Sequence, residues 1–307
     1  MSSVSIRGSV HESFGRHVVV ATPSHGNLNC KFRGRHLDVV VGDEVLVAAG
    51  ASPTDWTVTE RLRRRSVFTR SDSRGLIEDV AANLDQVGIV IAPHPACDPY
   101  IVDRYLAGAM FAGVGTLLVV NKCDVDMSPA DAATFGTFER IGVPTVRVSA
   151  KHGLGIETLR AHLDGRRTLL AGQSGVGKST LFNHLSGGTY RATRTLSTAT
   201  REGRHTTVSS AIVALPWGEL VDSPGVRDYA PPVVPLREVQ SGYAEIAAGG
   251  AKCRFQDCLH AREPDCAVQQ ALAAGVIDPR RYESYRRLLN LTRQLQEKRG
   301  HRHTPKL

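Results

Sequence analysis

The chain has 307 residues, more than one ordinary core requires, so two or three domains are expected. Hydrophobic residues make up 41% of it, enough for a sizeable core. No apolar run approaches the ~20 residues that span a bilayer, and Met1 to Arg7 lacks the apolar stretch of a secretory signal, so a cytoplasmic protein with no membrane partner is expected.

From Val4 to about Leu62, short strands are expected at His17–Ala21, Leu37–Val41, Glu44–Ala48 and Trp56–Thr59, with a turn at Gly42 and Asp43. Regularly spaced short strands predict a small OB-like β-barrel. Such barrels often bind nucleic acid, and a purely structural barrel is the alternative. Arg61 to Arg65 reads as a basic linker.

Beyond about Asp85 the pattern becomes apolar strands separated by helical stretches. Gln86–Ala92, Thr116–Val120, Pro144–Val148 and Thr168–Ala171 are continuous apolar runs, as in a parallel sheet covered on both faces. Helices are expected at Tyr100–Ala112 and Gly155–Leu163, and further strands at Ala211–Leu215 and Glu219–Val221. After Pro231 and Pro232 the chain reads as helical. It ends in a basic helix from about Asp278 to Lys298, with Asp278 as N-cap before Pro279. The expected domains are 1–65, 66–240 and 241–307, with no internal repeats.

Gly172, Gln173, Ser174, Gly175, Val176, Gly177, Lys178 and Ser179 match the phosphate-binding pattern G-x-x-x-x-G-K-[ST], and Thr180 follows directly. The glycines let backbone N–H groups turn toward phosphates, Lys178 reaches the β/γ oxygens, and Ser179 offers its hydroxyl to Mg²⁺. Asn121, Lys122, Cys123 and Asp124 narrow the base to guanine. The Asp124 carboxylate can accept from both N1–H and the exocyclic amine, whereas adenine presents an acceptor at N1. Ser149, Ala150 and Lys151 follow the next strand, which places three motif loops at the carboxyl edge of the sheet.

Asp222 and Gly225, with two residues between them, complete D-x-x-G, a carboxylate for the Mg²⁺ shell and a backbone N–H that senses the γ-phosphate. Thr206 and Thr207 lie in a polar stretch from Arg191 onward that reads as a switch; the sequence does not choose between them for Mg²⁺. Val226 stands where many GTPases carry a water-orienting glutamine, so slow intrinsic hydrolysis is expected. His205 is the nearest group able to hold a water, with a plain surface histidine as the alternative. The chain passes from Asp222–Val226 toward the C-terminal module, so a change there on hydrolysis could move that module directly.

Cys253, Cys258, His260 and Cys266 offer three thiolates and one imidazole in a short span, a closed donor set for structural Zn²⁺. Asp257 and Glu263 read as surface charges. The formal net charge is +8: residues 1–70 hold ten Lys/Arg against six Asp/Glu, and residues 280–307 nine against two. Two basic flanks imply a polyanion gripped from both sides, RNA foremost, with a solvated surface as the alternative.

With the guanine motif ahead of the phosphate loop, the order of motifs resembles the circularly permuted GTPases. Adding the barrel, the C-x4-C-x-H-x5-C module, Asn83–Val87 and Asp103–Leu106, nearly the whole chain resembles the RsgA (YjeQ) family of small-ribosomal-subunit biogenesis GTPases. The implied fold is multidomain α/β: a circularly permuted P-loop GTPase domain flanked by an N-terminal OB-like β-barrel and a C-terminal helical zinc module. The resemblance implies GTP hydrolysis in late small-subunit maturation, stimulated by that subunit, with rRNA contacted by the flanks, a bound Mg²⁺ and a monomeric chain. It also places a proposed catalytic histidine at His205. Ser223 stands for the family's more usual threonine, a change that keeps the hydroxyl. The competing reading is a GTP-gated RNA-binding module whose hydrolysis is incidental.

Overall fold

The structure, a computed structural model, describes residues 5–14, 17–32, 38–50, 52, 55–188, 210–223 and 229–300. Alternating apolar residues close the first five strands on themselves: β1 (Ser5–Ser13), β2 (His17–Thr22), β3 (Gly26–Phe32), β4 (Glu44–Ala49) and β5 (Trp56–Arg61). β1 pairs with β2 and β4, and β5 with β3 and β4, which leaves the barrel no open edge. Val10, Val18, Val20, Cys30, Val45, Val47 and Val58 fill its interior.

The strand expected at 37–41 is not one. Residues 38–41 lie outside any strand, although Val39 and Val41 are buried, and Leu37 lies outside the described residues. Two strands of the barrel were not foreseen, β1 and β3. In β3 polar Asn27, Asn29 and Lys31 alternate with inward Leu28 and Cys30, too sparse an apolar signal to stand out.

Two of the four arginines of the basic linker are neutralised. Arg64 pairs with the buried Asp43 at 2.6 Å and with Asp79, and Arg65 pairs with Asp85 at 2.6 Å. It leads into an unforeseen hairpin, β6 (Val67–Ser71) and β7 (Ile77–Ala82).

The α/β layer follows: β8 (Gln86–Ile91), α1 (Pro99–Ala112), β9 (Gly115–Val120), α2 (Pro129–Arg140), β10 (Thr145–Arg147), α3 (Ile156–Leu163), β11 (Arg167–Ala171), α4 (Lys178–Leu185), β12 (Ala211–Leu215) and β13 (Gly218–Asp222). The order β10-β9-β8-β11-β13 is parallel, and β12 joins β13 antiparallel. β12 also meets β1 at Ala211 and Glu12, so the barrel continues the sheet. One core, including Ile89, Leu118 and Leu169, backs onto α1; the other, including Val90, Leu117 and Leu170, backs onto α3 and α4.

The C-terminal part has a 3-10 turn at Leu236–Gly242, then α5 (Ala244–Gly250), α6 (Ala267–Ala273) and α7 (Pro279–Gly300). Asp278 caps α7 as expected, accepting the Arg280 N–H at 2.9 Å. The first arginines of this helix turn inward. Arg281, 2% exposed, pairs with the fully buried Asp103 of α1 and, at 2.6 Å, with Glu245 of α5. Arg280 reaches the other Asp103 oxygen at 2.6 Å. Among the described residues no helix is long and apolar enough to cross a membrane.

Candidate nucleotide site and metal centre

Because β8 to β11 and β13 run parallel, their following loops gather at one edge of the sheet. The Asn121 motif follows β9, Ser149 to Lys151 follow β10, the phosphate-loop sequence follows β11, and Asp222 ends β13. This edge is where open α/β sheets bind ligands. The permuted chain order therefore leaves the spatial order intact.

Asn121 ties the loops together. Its side-chain amide donates to the Val176 carbonyl at 2.9 Å, and its Oδ1 accepts the Ala150 N–H at 3.0 Å. Asn121, Val176 and Ala150 are all buried, so these bonds are shielded from water. Gly177, at φ +93, permits the approach: a Cβ there would lie 2.3 Å from the Asn121 amide nitrogen. Lys122 adds a second tie, its ammonium donating to the Gly175 carbonyl at 2.9 Å and the His94 carbonyl at 2.5 Å.

Lys178 opens α4 and donates to the carbonyls of Gly172 and Gln173, both at 2.6 Å, so the loop curls around its ammonium. Ser174, Gly175, Ser179 and Thr180 are exposed on the open side. Unpaired backbone N–H groups at a helix start, joined by an ammonium, suit phosphate. Asp124 is partly exposed, 3.6 Å from the His152 imidazole. The Ser149 hydroxyl beside it, with the charges of His152 and Lys151, holds its carboxyl below the usual carboxylate range. It therefore stays ionised as the double acceptor a guanine edge requires. His205, Thr206, Thr207, Gly225 and Val226 lie outside the described residues.

The second site is built by the C-terminal helices. Cys253, Cys258, His260 and Cys266 bring their ligand atoms within 4.8 Å of one another. The sulfurs of Cys253 and Cys266 are 3.8 Å apart, and each is 3.5 Å from His260 Nδ1. Tetrahedral ligands about 2.3 Å from a zinc ion stand about 3.8 Å from one another, so the donor set fits such an ion. Burial, then the neighbouring Cys266 and Cys253 sulfurs, pushes the Cys258 thiol up, and a cation among these sulfurs would favour the thiolates. Burial lowers the His260 pKa, which favours the neutral imidazole that ligates.

His260 Nε2 donates to Gln240 at 2.9 Å, which orients the ring, and Tyr282 and Tyr285 of α7 donate to the carbonyls of His260 and Leu259 at 2.6 and 2.8 Å. Sequence reading missed Gln240 and both tyrosines, whose sequence distance from the ligands hides them. It also misread Glu263. That carboxylate accepts the N–H groups of Leu259, Ala261 and Arg262 and so shapes the ligand loop.

A sheet that carries the guanine motif before the phosphate loop, with every loop at one edge, defines a circularly permuted GTPase. The solved structure of YloQ, described as a circularly permuted GTPase, shares the fold with a TM-score of 0.70 at 22% identity, covering 95% of this chain and 96% of that one. YjeQ from Thermotoga maritima superposes with a TM-score of 0.74 at 28% identity, covering 94% and 99%.

The chain belongs to the RsgA GTPase family, whose sequence model matches residues 61–230. The small ribosomal subunit biogenesis GTPase RsgA of Pseudomonas aeruginosa PAO1 is 41% identical over 286 residues, covering 92% of this chain and 84% of that protein. Its counterpart in Azotobacter vinelandii is 40% identical over 264 residues, covering 85% and 77%. A model described as a 50S ribosome-binding GTPase also matches, at residues 167–298. Its description names the other subunit, but it begins at β11 and omits the barrel and the guanine motif; the near full-length relatives carry more weight.

Proposed function

We propose that the chain hydrolyses GTP to GDP and phosphate in late maturation of the small ribosomal subunit, that the subunit stimulates hydrolysis, and that the flanking domains contact rRNA. The observation that carries the nucleotide part is the double hydrogen bond of Asn121, which joins the phosphate loop to the guanine-side loops. The small-subunit part rests on the names of the relatives.

In this reading Asp124 accepts from guanine, with Lys122, Ser149, Ala150 and Lys151 around the base. The N–H groups from Gly172 to Thr180 and the Lys178 ammonium hold the phosphates and neutralise charge that builds on the β/γ bridge. Ser179 and Asp222, with Thr206 or Thr207, would hold Mg²⁺. When bound, Mg²⁺ adds Lewis-acid stabilisation to the phosphate oxygens. Gly225 would sense the γ-phosphate through its N–H, and His205 would orient water in place of the glutamine that Val226 replaces. That substitution leaves the free protein slow and makes partner-driven ordering productive.

The ion of the second site is proposed as one structural Zn²⁺, since four protein ligands leave no open position. Among the described residues, exposed Arg63, Arg286, Arg293, Lys298 and Arg299 offer cations to rRNA; Arg64, Arg280 and Arg281 already have carboxylate partners. The domain limits at 65/66 and 240/241, a monomeric state and a cytoplasmic location belong to the same reading. Phosphate release from GTP, measured with and without purified small subunits, tests it: stimulation supports the proposal and indifference contradicts it.

A further inference from the structure

The barrel meets the nucleotide-binding sheet at a joint built around one carbonyl. Gly42, in the turn before β4, has φ +86, and a Cβ there would lie 2.1 Å from the Ala82 carbonyl oxygen, so the turn lies flush against the end of β7. The Gly42 carbonyl accepts from two sides, from the Asn83 amide and from the Arg167 guanidinium, both at 2.8 Å. Next to it the Ala82 N–H donates to the Val41 carbonyl at 2.9 Å.

Arg167 opens β11, the strand that runs into the phosphate loop, and its side chain is only 11% exposed. Besides Gly42, its guanidinium reaches the Ser9 hydroxyl of β1 at 3.2 Å and the Glu219 carboxylate of β13 at 2.6 Å, while its backbone N–H donates to Asp85 at 2.7 Å. One planar fork therefore ties two places in the barrel to two parallel strands of the sheet, and three acceptors on different elements fix an angle as a single ion pair does not. The strand pairing across the same joint is slight: among the described residues it is the one pair of Glu12 with Ala211.

We propose that Arg167 is a positioning residue for the encounter with the small subunit: it holds the barrel at one angle to the nucleotide sheet, so that the barrel meets rRNA as a preset arm. The proposal rests on the reading that the barrel contacts the rRNA of a subunit that stimulates hydrolysis. An arm already at its bound angle loses less freedom on association, so the lock acts on affinity for the subunit. Nucleotide is held at the other end of β11 by other groups. Loosening the joint should therefore raise the subunit concentration that gives half-maximal stimulation, and leave nucleotide affinity and the rate at saturating subunit alone. A general folding defect would lower the last two together.

The test compares Arg167→Ala and Asn83→Asp with the wild type in the full chain, by GDP affinity, by hydrolysis against small-subunit concentration, and by hydrogen exchange of the Ala82 N–H. Asn83→Asp keeps the acceptor for the Arg65 N–H but turns the donor on the Gly42 carbonyl into an acceptor. It loosens the joint from the other side and decides the matter if Arg167→Ala does not fold. Both variants should raise the half-maximal subunit concentration about fivefold or more, with GDP affinity and saturated rate within about twofold of the wild type and faster exchange at Ala82. An unchanged half-maximal concentration in both, or a loss that falls on GDP affinity or on the saturated rate instead, would overturn the proposal. A wild type that subunits do not stimulate would contradict the functional reading, and Ala82 would still report on the joint: equal exchange in all three proteins would overturn the role of Arg167.

Discussion

Asn121 and Val176 are 55 positions apart in sequence and joined by a buried 2.9 Å hydrogen bond from the Asn121 amide to the Val176 carbonyl. The bond links the guanine-side loop to the phosphate loop, and the second Asn121 bond brings in Ala150. Asn121→Ala would leave a buried carbonyl and a buried N–H without partners, each at a cost of roughly 1–3 kcal/mol. GTP and GDP affinity should both fall by tenfold or more on that scale. Titration of a fluorescent GDP analogue checks this; unchanged affinity would show that the loops hold their positions without Asn121.

Asp124→Asn should exchange base preference with little effect on folding. The amide both donates and accepts, which matches the C2 oxygen of xanthine better than the C2 amine of guanine. The expected outcome is a rise in XTP affinity relative to GTP, read by competition binding. An unaltered ratio would remove Asp124 from base recognition.

Much of this site was legible because each motif is local in sequence and follows its own strand. The Asn121, Ser149 and Gly172 loops each needed only an apolar run and the residues after it. What escaped was whatever depends on partners far along the chain. Arg280 and Arg281 look like part of a basic RNA-facing helix, yet both turn onto Asp103, 177 and 178 positions away. The β6–β7 hairpin carries Arg70, Ser71, Asp72, Ser73 and Arg74 at its turn end and gives no continuous apolar run. Its packing shows only in the structure, where the Phe68 ring stacks on that of Tyr229.

Asp103→Ala tests the buried arginine cluster. Arg281 would keep one carboxylate partner, Glu245, and Arg280 would lose the one it has. Removing one side of such a buried group costs roughly 3–5 kcal/mol. The loss should appear in urea unfolding and as protease sensitivity of the C-terminal helices. Stability within about 1 kcal/mol of the wild type would place the cluster among ion pairs of small net effect.

Metal analysis should find one zinc per chain, and Cys258→Ser should lose it. Without the ion, the ligand loop loses the cation that favours three close thiolates, so the fold around α5 to α7 should loosen while the nucleotide site persists. Far-ultraviolet circular dichroism with GDP titration reads both effects. Full zinc content in Cys258→Ser, or none in the wild type, would refute the assignment.

The central claim is that loops brought together in permuted order form one GTP site whose turnover waits for a partner. Its most direct measurement is the initial rate of phosphate release at saturating GTP, with free protein and with equimolar purified small subunits. Ordering of the catalytic groups by a partner predicts a rise of at least about a hundredfold, diminishing steeply with added salt as cations such as Arg293 and Lys298 lose their advantage on rRNA. A rate the same in both samples would contradict the account.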